Sequence, residues 1–199
     1  MMSDHHHGTD GYDSAQPLVR IRLSECLREV KTGVGVDWRQ YRVVGATREG
    51  IAPAKERVGK NPQRYKPVSP GTIFYNPMRI LIGSIAMIDD GEEPAITSPD
   101  YVVFTTRAGT LHHKFFYYWL RSISGATFIR RLARGAVRER LMFPRLSAAE
   151  VEMPRWDVQM SFIRKMALID RARAAAIAQL TELDRFPALL LRDAFSGDR

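Results

Sequence analysis

Apolar and polar positions divide the chain into a mixed stretch of short strands and helices, then one long helix. LVRIRLSECLREVKTG, residues 18–33, alternates and then shifts to helical spacing, predicting a short strand that runs into a helical turn. YRVVGA, residues 41–46, is strand-like, with β-branched residues closed by Gly45. TREGIAPAKERVGKNPQRYKP, residues 47–67, is polar and basic, carries three prolines and reads as a long exposed loop. GTIFYNPMRILIGSIAMI, residues 71–88, predicts two strands around a turn at Asn76-Pro77, with Ile80 and Ile82 in the core. DDGEEP, residues 89–94, reads as an acidic hairpin-like turn, and the next strand centres on Tyr101–Phe104, with Val102 and Val103 as core.

KFFYYWLRSISGATFIRRLARG, residues 114–135, is helical, with a break expected at Gly125 and a stop at Gly135. VEMP, at 151–154, is again strand-like. Residues 157–185 then contain neither Gly nor Pro and are dominated by Ala, Leu, Arg and Met, which predicts one continuous helix. Asp157 or Ser161 is expected to cap its start. Phe162, Met166, Ile169, Leu180 and Leu183 fall near coiled-coil spacing, and Ile177 lies on an adjacent stripe. Such a helix cannot bury its stripe on itself and calls for a partner helix. Pro187 forces a break before a short final helix that can fold back.

Composition sharpens this picture. The first 16 residues have almost no apolar content and read as a disordered leader. They contain three aspartates and no Lys or Arg, so subtracting −3 from the net +8 leaves +11 on residues 17–199. Excess positive charge speaks to partners, nucleic acid foremost among them. No apolar run approaches the ~20 residues of a membrane span. The N-terminus also lacks the order of a signal peptide, so a soluble, cytoplasmic protein is expected.

Most enzyme chemistry finds no footing. Cys26 is the single cysteine, which excludes an internal disulfide and a multi-cysteine zinc site; it reads as a small buried hydrophobe. His5, His6 and His7 on a polar segment do not preorganise a metal site. FYNPM, residues 74–78, has a faint likeness to the Asn-Pro-Pro-aromatic motif of amino-methyltransferases. It lacks the second proline and the aromatic, and no glycine-rich loop is present to hold S-adenosylmethionine. There is no phosphate-binding loop and no His-Glu-x-x-His helix. One of the adjacent His112 and His113 is expected to pack or to cap the helix that follows. The acidic run at Asp89, Asp90, Glu92 and Glu93 reads as solvated surface, although nucleases pair carboxylates around Mg²⁺. The chain is therefore read as a binding protein with no catalytic residues, no metal and no cofactor.

The segments FYNPMRILIGSIAM, ITSPDYVVF, FFYYWLRS and RGAVRERLMFPRLSAAEVEMP, then a long helix ending LLLRDAFSG, follow a specific order. In that order the chain resembles, over residues 17–199, the DNA specificity subunit of type I restriction–modification enzymes. The resemblance implies an α+β fold: a mixed α/β target-recognition domain over residues 17–154, then a coiled-coil spacer helix over 155–199. Family members usually carry two such units, whose helices pair antiparallel and hold the domains at a fixed separation on a bipartite DNA site. Their partners are modification (methyltransferase) subunits and, for cleavage, restriction subunits. This sequence carries one unit, so it reads either as a half-size subunit that forms a homodimer or as part of a longer chain. A homodimer would present two identical domains to a two-part palindromic site. Val158-Gln159 stands where the family usually has Glu-Gln.

Phosphate contacts position such a protein, and base contacts specify the sequence. Arg48, Lys55, Arg57, Lys60 and Arg64 in the polar loop are the first candidates for DNA contact. Arg79 follows the Asn76-Pro77 turn, and Arg134, Arg138 and Arg140 flank Gly135-Ala136. Phe162, Met166, Ile169, Ile177, Leu180 and Leu183 are the candidate dimer or partner face. The rival reading is a helical adaptor or regulator that docks on another bacterial enzyme without reading DNA.

Overall fold

The structure is a computed structural model, and it describes residues 18–54, 58–133 and 140–196. Its middle layer is a four-stranded antiparallel sheet. The strand order is β2 (Leu27–Glu29), β9 (Val102–Thr106), β6 (Ile73–Tyr75) and β7 (Ile85–Met87). Successive side chains of a strand point to opposite faces. Ile73, Tyr75, Ile85, Met87, Val102 and Phe104 thus join one core, while Phe74, Ala86 and Val103 join the other. A sheet buried on both faces gives near-continuous apolar runs in place of alternation.

Helices cover the first face. They are α1 (Leu23–Cys26), α2 (His113–Arg121), α3 (Ile123–Ala133) and α4 (Phe143–Ser147). The second face packs on another four-stranded sheet, ordered β4 (Ile51–Pro53), β3 (Arg42–Ala46), β8 (Ala95–Thr97) and β5 (Lys66–Val68). Here β3 and β8 are parallel, and the remaining pairs are antiparallel. Val44, Ala46, Val68 and Ala95 supply its inner face. A separate ribbon joins β1 (Leu18–Arg22) to β10 (Glu150–Pro154), with Leu18 opposite Pro154. The chain then enters α5 (Trp156–Leu183) and α6 (Phe186–Ser196). The fold is α+β with a long C-terminal helix. No helix among the described residues is long and apolar enough to cross a membrane.

Several sequence expectations need correction. The 47–67 stretch holds β4, β5 and a 3-10 turn at Pro62–Arg64; strands of three residues are too short to display a period. Residues 89–94 do not close a hairpin, because β7 and β8 belong to different sheets. Ile80–Ile82 is a 3-10 turn, closed by Gly83 at φ +85°. With three residues per turn, residues two apart face different sides. Ile80 is accordingly 2% exposed and Ile82 66%. The helical break falls at Ser122, which caps the end of α2. Gly125 has another reason to be there: a Cβ on it would overlap the Trp119 carbonyl and the Leu120 backbone. Neither Asp157 nor Ser161 caps α5; its N-cap is Arg155, which makes no side-chain capping bond. The final helix α6 remains exposed along its described length.

Candidate nucleic-acid interface

Strand register gathers the loops at one end of the two-sheet sandwich. Tyr75 pairs with both Val102 and Ile85, so the 76–84 loop leaves from the end where β9 begins. Antiparallel β2 runs out to the same end, where the Val30 N–H donates to the Val103 carbonyl at 2.8 Å. In the second sheet β3 and β8 run the same way, and β5 starts beside Thr97. The 47–50 turn, the 98–101 turn and the chain entering β5 therefore share one end. Residues 98–101 join β8 to β9, so the ends of both sheets coincide. Tyr101 ties them: its hydroxyl accepts from the Ala46 N–H at 3.4 Å, and its carbonyl accepts from Lys66 Nζ at 2.6 Å.

Arg48, Arg79 and Arg140 lie on one side of this end, all exposed. The Ser84 hydroxyl donates to the Ala46 carbonyl at 2.6 Å, fastening the 76–84 loop to the root of the 47–50 turn. Inside that loop the Met78 N–H donates to Asn76 Oδ1 at 3.0 Å, and the Arg79 N–H to the Asn76 carbonyl at 3.0 Å. The Leu141 N–H donates to the Pro77 carbonyl at 3.1 Å and brings Arg140 alongside. Arg121, at the end of α2, donates to the carbonyls of Ile85, at 2.9 Å, and Arg48. It is a fastener for this surface.

Lys60 and Arg64, also exposed, form a second group with the 31–41 segment. The Tyr65 hydroxyl accepts from the Gly59 N–H at 3.0 Å, and the Tyr65 carbonyl accepts from the Val34 N–H at 2.7 Å. Gly33 lets the backbones approach, since a Cβ there would overlap Gln63 and Arg64. Sequence reasoning missed Lys31 and Arg39 in this group. The signal for Arg39 was the GVGVDWRQ run, where it lies 4.6 Å over the Trp38 ring; Lys31, paired with Glu29 at 3.4 Å, carried none. Lys55, Arg57, Arg134 and Arg138 lie outside the described residues. Exposed apolar groups share this end: Val36, Met78 and Ile82 are 85%, 63% and 66% exposed.

The opposite end is acidic. Lys114 Nζ bridges Asp89 at 2.6 Å and Asp90 at 2.9 Å. The bond from Lys114 holds the Asp90 carboxyl below the usual carboxylate range, against the effect of burial. Carboxylates neutralised by a lysine are poor Mg²⁺ ligands. Among the described residues no group of three or more His, Cys, Asp or Glu could hold a metal ion. His112 caps α2, its Nδ1 accepting from the Lys114 N–H at 3.2 Å, and His113 packs against Gly71.

The long helix starts at this acidic end, where Trp156 meets the His112 ring at 5.5 Å. Phe162, expected at a partner face, packs edge-on against Phe115 at 5.4 Å and Tyr118 at 5.8 Å of its own domain. Met166 is half-buried. Ile169, Ile177, Leu180 and Leu183 are exposed by 51%, 57%, 61% and 59%. The face left uncovered is thus the outer part of the helix.

No sequence-family model and no curated protein matches the chain. Solved structures do. One chain belongs to a structure described as the basis of complex assembly and conformational transition of the type I R-M system. It is 14% identical with a TM-score of 0.57, and the match covers 92% of this chain and 50% of that one. The HsdS subunit from Thermoanaerobacter tengcongensis is 17% identical with a TM-score of 0.55, over 94% of this chain and 48% of that one. The chain has this S-subunit-like fold and spans about half the length of each of these structures.

Proposed function

We propose that the chain is a DNA-reading specificity subunit of a type I restriction–modification system. It contributes recognition, and its partners perform methyl transfer and cleavage in the cytoplasm. One observation carries the reading: five exposed cations, Arg48, Lys60, Arg64, Arg79 and Arg140, stand at the loop-bearing end. None of the five forms an ion pair with a described carboxylate. Loops on a rigid sheet frame are where binding residues concentrate. Arginine in such loops matches phosphate or the guanine edge bidentately. The S-subunit-like fold supports the same reading. The exposed stripe of α5 serves a second copy, which places two domains on a two-part site.

Competition binding tests this. Wild-type protein is expected to select a two-part duplex from a randomised pool and to hold it against random duplex, with affinity falling steeply as salt rises. The triple variant Arg48→Ala, Arg79→Ala, Arg140→Ala loses that binding and keeps its oligomeric state. Equal affinity for all duplexes at every salt concentration would favour the helical adaptor instead.

A further inference from the structure

Gln159 is the one fully buried side chain in the 28 residues of α5, at 1% exposure. Its amide is used from both ends. Oε1 accepts from the His112 N–H at 2.9 Å. Nε2 donates to the carbonyls of Thr110, at 3.0 Å, and Pro154, at 2.9 Å. Those three groups belong to the connection before α2 and to the end of β10. One side chain therefore locks the first turn of α5 to two separate segments of the domain.

Ring contacts also hold this junction, Trp156 on His112 and Phe162 on Phe115 and Tyr118, and Val158, Met160, Ile163 and Met166 are half-buried beside them. Apolar burial is non-directional, whereas hydrogen bonds to fixed backbone groups weaken steeply with angle. The amide is thus the directional contact that restricts the angle of α5 most narrowly. A helix of this length is a lever of about 42 Å. A swing of about 10° at its base moves the tip by about 7 Å, or about two base-pair steps of ~3.4 Å.

We propose that Gln159 is a positioning residue that sets the angle at which α5 leaves the domain. Through that angle it sets the spacing of the two-part DNA site. The second half of this statement rests on the function proposed above; the first half does not.

Two measurements separate them. In the first, spin labels at Arg130→Cys and Ala178→Cys report the distance between α3 and the outer part of α5, in labelled protein diluted with unlabelled protein. Cys26, 4% exposed, stays unlabelled. Wild type is expected to give one narrow distribution, and Gln159→Leu, which leaves three part-buried backbone groups without this partner, a broadened or displaced one. Gln159→Glu keeps the acceptor for His112 but turns a carboxylate towards two carbonyls, so it falls between the two and covers the case where the Leu variant fails to fold. Identical distributions for wild type and Glu variant would overturn the proposal. In the second, the duplex selected by wild type is remade with its central spacer one and two base pairs shorter or longer. Wild type is expected to prefer one spacer at least tenfold, and the Gln159 variants to flatten or move that preference. A uniform loss at every spacer marks a merely structural role and overturns the link to spacing. If wild type selects no two-part duplex, the DNA-reading function falls, and the distance measurement alone decides the latch.

Discussion

The amide of Gln159 and the imidazoles of His112 and His113 occupy the same junction, and each residue there can be tested by its own physics. The two rings stack at 4.5 Å, and burial pushes both pKa values below the usual imidazole range. Lys114 adds to the depression of both, while Asp90, facing the pair, opposes it without outweighing burial. The folded state then binds fewer protons than the unfolded chain at pH values between the depressed pKa and about 6.5. Stability from this site is present above that upper bound and drains as the pH falls through the folded value. The melting temperature is expected to drop from about pH 7.5 to about pH 5.5, and the double variant His112→Gln, His113→Gln to lessen that drop. A second test concerns packing: Gly125→Ala forces a methyl into the end of α2 and is expected to cost about 1–3 kcal/mol, read from the denaturation midpoint. The sequence shows residue types at these places and not their surroundings. Gln159 stood out only beside Val158, and Ile82 passed for core because an apolar letter inside a 3-10 turn looks like one inside a strand.

Among the elements, α5 was the most legible. Its helical propensity is summed over 28 residues with no breaker, and no tertiary contact is needed to decide it. The three-residue strands β4 and β5 were illegible for the converse reason: pairing with β3 and β8 makes them strands. The outer part of α5 shows the limit of propensity. An isolated helix is marginal in water, and most helical stability comes from packing an apolar face. With Phe162 committed to its own domain, Ile169, Ile177, Leu180 and Leu183 are left exposed, the face that the proposed second copy would cover. Ile177→Lys with Leu180→Lys is expected to convert the protein from a dimer to a 22.7 kDa monomer and to reduce helical circular dichroism. Both changes are read in one sedimentation and spectroscopy series. A dimer that survives the double charge would place the partner face elsewhere.

At the scale of the whole molecule the decisive feature is the gathering at the loop end of exposed cations that make no ion pair with a described carboxylate, while the acidic run at 89–93 lies at the end that anchors the long helix. Single arginines were legible as polar-loop residues, but their convergence is a product of register. Arg79 and Arg48 meet because Tyr75 pairs with Ile85 and Ser84 reaches the Ala46 carbonyl. No pattern along the chain encodes that. That gathering predicts how DNA binding depends on salt, residue by residue. An arginine on a phosphate releases counterions, so removing it lowers the slope of log affinity against log salt by about one and weakens random and selected duplexes alike. An arginine on a guanine edge leaves the slope nearly unchanged and costs about 1–3 kcal/mol on the selected duplex only. Arg48→Ala, Arg79→Ala and Arg140→Ala, titrated separately against both duplexes, should each fall into one of these classes. Glu93→Gln, at the acidic end, should fall into neither. Duplex docked across the acidic end or along α5 would reverse that outcome, because Glu93→Gln would then raise affinity while the three arginine variants left it alone.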